Sequence, residues 1–116
     1  MTVAIPPDEL SRLLAQDRFL AAVNSTFELP ATDTMPAISL RLIEVTVRNA
    51  PKGYEQFAAL FEGPAEPVLP QGTYEMTHPA FGTMPLFMVP VGHSAERTSY
   101  EVCVIRNVEA PSSNAP

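Results

Sequence analysis

Cysteine and lysine each occur once in this chain of 116 residues, and tryptophan does not occur at all. A single cysteine, Cys103, permits neither an intrachain disulfide nor a cysteine metal cluster. Set between Val102 and Val104, it reads as a small core hydrophobe, because a reactive thiol needs a lowered pKa and access. Positive charge is nearly as scarce. Lys52 is the one lysine, the arginines are scattered, and the formal net charge is −6. Such a surface repels phosphate backbones and anionic lipid, which excludes nucleic acid as a partner. Long hydrophobic runs are missing too. No segment approaches the ~20 apolar residues of a membrane span. The opening MTVAIPPDELSR lacks the basic region and apolar run of a signal peptide. The expectation is a cytoplasmic protein without a membrane span, which would reach any surface assembly by a non-standard route.

Catalytic constellations are missing as well. The five glycines are isolated turn residues, with no GxGxxG and no phosphate-cradling loop. His78 and His93 each sit in a Pro/Gly-rich turn. Glu75 and Glu96 are near them in the chain, but not at a metal-ligand spacing. Ser94 or Ser99 beside His93 lacks a nucleophile elbow. Glu55, Glu62, Glu66 and Glu75 are the carboxylates available for paired acid–base work, and acids in β hairpins ordinarily decorate solvent faces. The sequence therefore predicts no enzyme, no cofactor and no metal. A hydrolase using His78 or His93 with a nearby acid is the minority reading.

What the chain does have is 46% hydrophobic residues against 17% charged, and thirteen prolines lying mostly between apolar runs. That proportion folds, and prolines so placed punctuate strands where they would break helices. The length suits one domain, taken as residues 1–108 with a small polar tail at 109–116. Pro6-Pro7 before Asp8-Glu9 signals a helix start. Leu10, Leu13 and Leu14, then Phe19, Leu20 and Val23, extend an apolar stripe to about residue 23. This reads as one helix over 8–23, or two with a break near Gln16, with Asn24 as the left-handed residue that ends it.

Strands follow. Thr26–Leu29 precedes a turn at Pro30–Thr34. Along Ile38–Arg48, Ile38, Leu40 and Leu42 share one parity, while Ile43, Val45 and Val47 share the other. A bulge near Leu42-Ile43 would let both halves face one core. On the next strand Phe57, Ala59 and Phe61 point one way and Gln56, Ala58, Leu60 and Glu62 the other, and the segment Gly63–Pro67 should leave the sheet. Leu69-Pro70-Gln71-Gly72 reads as a turn with a positive φ at Gly72. Tyr74 and Met76 point inward on the strand after it, and His78–Gly82 forms a hairpin loop. The fold class predicted is mainly β: a small antiparallel barrel or sandwich of about six strands with an N-terminal helix.

Strands 84–91 and 98–107 are apolar on both faces. Leu86 and Met88 oppose Phe87, Val89 and Val91; Tyr100, Val102 and Val104 oppose Cys103 and Ile105. A domain this small has little with which to cover the second face, so a protein partner or self-association is predicted there. The predicted partner-binding residues are Phe87, Val89, Val91, Cys103 and Ile105.

The segments Phe61-Glu-Gly-Pro64, Leu69-Pro-Gln-Gly-Thr-Tyr74, His78-Pro79, Leu86-Phe87, Val89-Pro-Val-Gly92 and Tyr100-Glu101 resemble, in order and spacing, a family of small bacterial proteins of unknown function. The likeness runs over about residues 17 to 107. Phe81 stands where that family commonly has Leu, and Cys103 stands near its Ala. The resemblance implies a compact β-barrel module without catalytic residues, often found alongside fibre proteins with phage-tail-collar domains. The function expected is a non-enzymatic structural or assembly protein of a phage-tail-like fibre or surface assembly. The alternative is a small-ligand-binding barrel with Tyr74, Met76, Met84, Met88 and Tyr100 around a pocket.

Overall fold

The computed structural model describes residues 14–107. Six strands follow one short helix: α1 (Gln16–Ala21), β1 (Thr26–Leu29), β2 (Ile38–Arg48), β3 (Tyr54–Pro64), β4 (Gly72–His78), β5 (Gly82–His93) and β6 (Arg97–Asn107). All strand pairs are antiparallel and close into a barrel in the order β1-β2-β3-β6-β5-β4. Closure leaves little of the edge backbone that would otherwise invite aggregation, although β1 and β4 meet at the Glu28–Thr77 bridge alone. A barrel this narrow is filled by its own inward side chains.

Strand alternation dictates which residues fill it. Phe57, Ala59 and Phe61 of β3, Met84 and Met88 of β5, and Met76 of β4 are fully buried in one cluster. The bulge in β2 is present: the β2–β3 register slips between Leu42 and Glu44. It sets Val45 opposite Ala59 and Val47 opposite Phe57, on the core side. Val45 packs against the core, whereas Val47 reaches the barrel rim and stays half exposed.

The helix is shorter than the apolar stripe suggested. It spans six residues, and Ala22–Asn24 form a turn in which Asn24 adopts φ 77°, the left-handed conformation its position called for. Residues 8–13 and the tail at 109–116 lie outside the described residues. Phe19 drops from α1 into one end of the barrel, within 5.2 Å of the Phe57 ring and 5.0 Å of the Phe81 ring. The helix cap comes from another element. Ala15 offers no capping side chain, and the Gln16 N–H donates instead to Glu55 on β3 at 2.6 Å. Arg106 of β6 donates to the same carboxylate oxygen at 2.9 Å.

Three turn assignments need correction. β3 leaves the sheet at 65–67 as expected, but not at Gly63-Pro64, which still pair with Thr98 and Arg97. Proline is tolerated at a strand end, where its missing N–H costs little. Gly63 is needed for space, since a Cβ there would overlap the Cδ2 of buried Leu40. Gly72 has no positive φ; it begins β4 opposite Met88. The hairpin loop is tighter than five residues, because His78 and Gly82 pair across it. Gly82, at φ 74°, takes the left-handed step that closes it.

Candidate functional site

The late strands behave as their alternation requires. Leu86, Met88, Tyr100, Val102 and Val104 are buried. Their neighbours face out: Phe87 is 51% exposed, Val91 52% and Ile105 58%, Cys103 is exposed, and Val89 is half-buried. Cys103 is therefore not a core residue, because Val102 and Val104 take the inner parity of β6. Its thiol is a poor nucleophile all the same. Partial burial raises its pKa, and the nearby Glu101 carboxylate adds to this through its charge and an S–H···O contact of 3.6 Å.

The wall between these strands is incomplete. β5 and β6 pair from Val89/Glu101 to His93/Thr98. Beyond that, Pro85 and Phe87 on one side and Cys103 and Ile105 on the other border a shallow cleft of about 240 Å³, with Leu14 at its edge. Apolar side chains and a partly open seam thus coincide on one surface.

The possible catalytic residues are engaged otherwise. His78 is buried and its ring lies 4.4 Å from that of Phe27. Its Nδ1 accepts the Ala80 N–H at 2.9 Å, so the ring proton is on Nε2 and donates to Ser25 Oγ at 2.8 Å. The Ser25 hydroxyl in turn donates to the Ala22 carbonyl. Sequence reading missed this pair, which is 53 residues apart in the chain. Its proton direction is opposite to that of a serine–histidine nucleophile, where Nε2 must accept from the hydroxyl. The network ties α1 to the β4–β5 hairpin.

His93 is exposed and contacts the Ala65 carbonyl at 3.1 Å. Ser94 closes its own turn, accepting the Glu96 and Arg97 N–H groups. Ser99 sits beside Gly92 on the β5–β6 ladder. The four carboxylates stay apart: Glu55 holds Arg106, Glu62 faces Arg97 at 3.4 Å, Glu66 lies 3.7 Å from His93, and Glu75 is exposed on β4. Among the described residues no group of three His, Cys, Asp or Glu side chains could hold a metal ion. Nor is any helix there long and apolar enough to cross a membrane.

Of the residues considered for a ligand pocket, Met76, Met84, Met88 and Tyr100 lie in the packed interior. The Tyr100 hydroxyl accepts the buried Leu69 N–H at 2.9 Å, which pins the β3–β4 loop to the core. Tyr74 is different, for it lines a groove of about 450 Å³ between β4 and the β1–β2 loop. Nothing in the sequence reading anticipated that groove, although Pro30 and Pro36, bracketing the loop, were its signal.

The chain belongs to the family described as a domain of unknown function (DUF6916), whose model matches residues 14–104. Neither the curated proteins nor the solved structures yield a match to it.

Proposed function

We propose that this protein is a non-enzymatic structural or assembly component that joins another protein subunit through the outer wall of β5 and β6. The observation that carries this reading is the outward set Phe87, Val91 and Ile105, each more than half exposed on adjoining strands. Burying such side chains stabilises a contact by about 25 cal/mol per Å² of apolar area, and an isolated chain leaves that stabilisation unused. Cys103 and half-buried Val89 extend the patch. Aromatic and aliphatic groups at the centre of an interface, ringed by polar side chains, form the common anatomy of protein–protein contacts. Arg48 and Glu101, 3.7 Å apart on the neighbouring wall, supply polar groups of that kind.

The assembly favoured is a phage-tail-like fibre or surface structure. Support for that choice is the motif resemblance of residues 61–101, not the barrel itself, since folds of this kind serve many roles. A ligand pocket inside the barrel has less support, because its best methionines and Tyr100 are fully packed.

Light scattering on the eluting chain, from micromolar to millimolar concentration, tests the reading. The wild type should associate as concentration rises. Phe87→Asp should be monomeric throughout while keeping its thermal midpoint within a few degrees, since an exposed substitution costs little. A wild type that stays monomeric at millimolar concentration, together with equal solubility of the variant, would remove the proposal. A variant that unfolds would place Phe87 in the stabilising core.

A further inference from the structure

The barrel closes between β1 and β4 through one bridge, Glu28 opposite Thr77. In antiparallel register the next partners would be Leu29 with Met76, then Pro30 with Glu75. Neither pair forms, and Pro30, with no N–H to donate, keeps the ladder from resuming. The chain turns off into a loop that closes hydrogen bonds on itself: the Thr32 N–H donates to the Met35 carbonyl at 2.8 Å, and the Thr34 N–H reaches the Thr32 hydroxyl at 3.3 Å. β4 meanwhile continues to Gly72, paired with β5 along its whole length. Its other edge, from Gly72 to Glu75, faces no strand among the described residues. The groove of about 450 Å³ lies along that edge. Its size falls within the range of ligand-binding clefts.

The lining has a definite chemistry. Leu29, Met35, Ile38 and the Tyr74 ring make it apolar. The Tyr74 hydroxyl already donates to the Pro70 carbonyl at 2.5 Å, so its polar end is satisfied. Glu75 lines the groove, and Asp33 sits between the lining residues Thr32 and Thr34 in the loop that forms its other wall. No lysine or arginine occurs in residues 26–38 or 69–80.

We propose that this groove is a strand-addition site for an extended peptide segment of another protein, carrying apolar side chains at alternate positions and lysine or arginine between them. The open β4 edge supplies backbone hydrogen bonds, the apolar lining takes every second side chain, and the acidic rim selects the basic ones between. Four open residues at about 3.3 Å each accommodate roughly four residues of guest. The site does not rest on the outer-wall reading, because it borders β4 on the side away from β5.

The test is an NMR titration of the full ¹⁵N-labelled chain with capped hexapeptides in which valine alternates with lysine, with glutamate, or with lysine and one central proline. The lysine peptide should shift amides of residues 29–38 and 72–76 in a saturable manner. The glutamate peptide should bind at least about fivefold more weakly, and Glu75→Lys should invert that order. The proline peptide should lose most of the affinity, since it cannot complete the ladder. Equal binding of the lysine and glutamate peptides would overturn the proposal, as would full retention by the proline peptide. No saturable shift at millimolar peptide would also overturn it. So would an equal response to n-pentylammonium, which would make the groove a small-amine site. Groove shifts that grow with protein concentration alone would assign it to a second copy of the chain.

Discussion

His78 shows how one residue acquires its role from surroundings that its sequence neighbours do not reveal. Burial lowers its pKa, and its Nδ1 lone pair is committed to the Ala80 N–H. Protonation would put a second donor against that N–H inside an aromatic cluster. The linkage sign follows. The unfolded chain titrates near the ordinary value of about 6.5, above the folded pKa, so on acidification it takes up the proton first. Stability is therefore whole above about pH 7 and falls as the pH drops through 6.5 toward the folded-state pKa. The thermal midpoint of the wild type should decline over that interval. His78→Gln should be less stable at pH 7 by about 1–2 kcal/mol, through loss of satisfied buried hydrogen bonds, and should show a flatter profile between pH 7 and 5. An unchanged slope in the variant would place the responsible proton elsewhere.

Among the elements, α1 is the one least able to stand alone. Six residues do not make a stable helix in water. It is held by Phe19 inside the barrel and by Glu55, which caps its first turn while paired with Arg106. Glu55→Gln should weaken both contacts and cost about 1–2 kcal/mol in urea unfolding. Amide exchange at residues 19–22 should quicken ahead of global unfolding. Equal loss of protection in every strand would instead mean that Glu55 stabilises the whole barrel uniformly. The bulge in β2 belongs to this scale too. It was legible because apolar residues of opposite parity on one strand cannot otherwise share a core. The end of β3 was not legible, since Gly63-Pro64 has the composition of a turn and became strand only because β6 runs long enough to pair with it.

For the whole molecule the contrast is between two parts of one barrel wall. β3 is paired on both sides, with β2 and with β6 over its full length. Within the sheet, the β4–β5 hairpin pairs with its neighbours through one bridge to β1 and a short ladder to β6. Hydrogen exchange should accordingly be slowest in the middle of β3, at Phe57–Phe61, and markedly faster along the open edge of β4 at residues 72–75, because protection follows paired and buried backbone. Slow exchange along that edge in the free chain would mean that its amides already have partners.

The sequence by itself determined the β architecture, the inner and outer parity of β3, β5 and β6, the left-handed turn at Asn24 and the outward set Phe87, Val91 and Ile105. Each of these depends on near neighbours: alternation at a period of two, and backbone preferences of single residues. Tertiary structure alone decided that the sheet closes, that His78 meets Ser25, and that β4, among the described residues, keeps an unpaired edge beside an apolar groove with an acidic rim. Those features depend on which distant strands become neighbours and where one ladder ends before the next. That is a property of the closed wall, which no local pattern of residues carries.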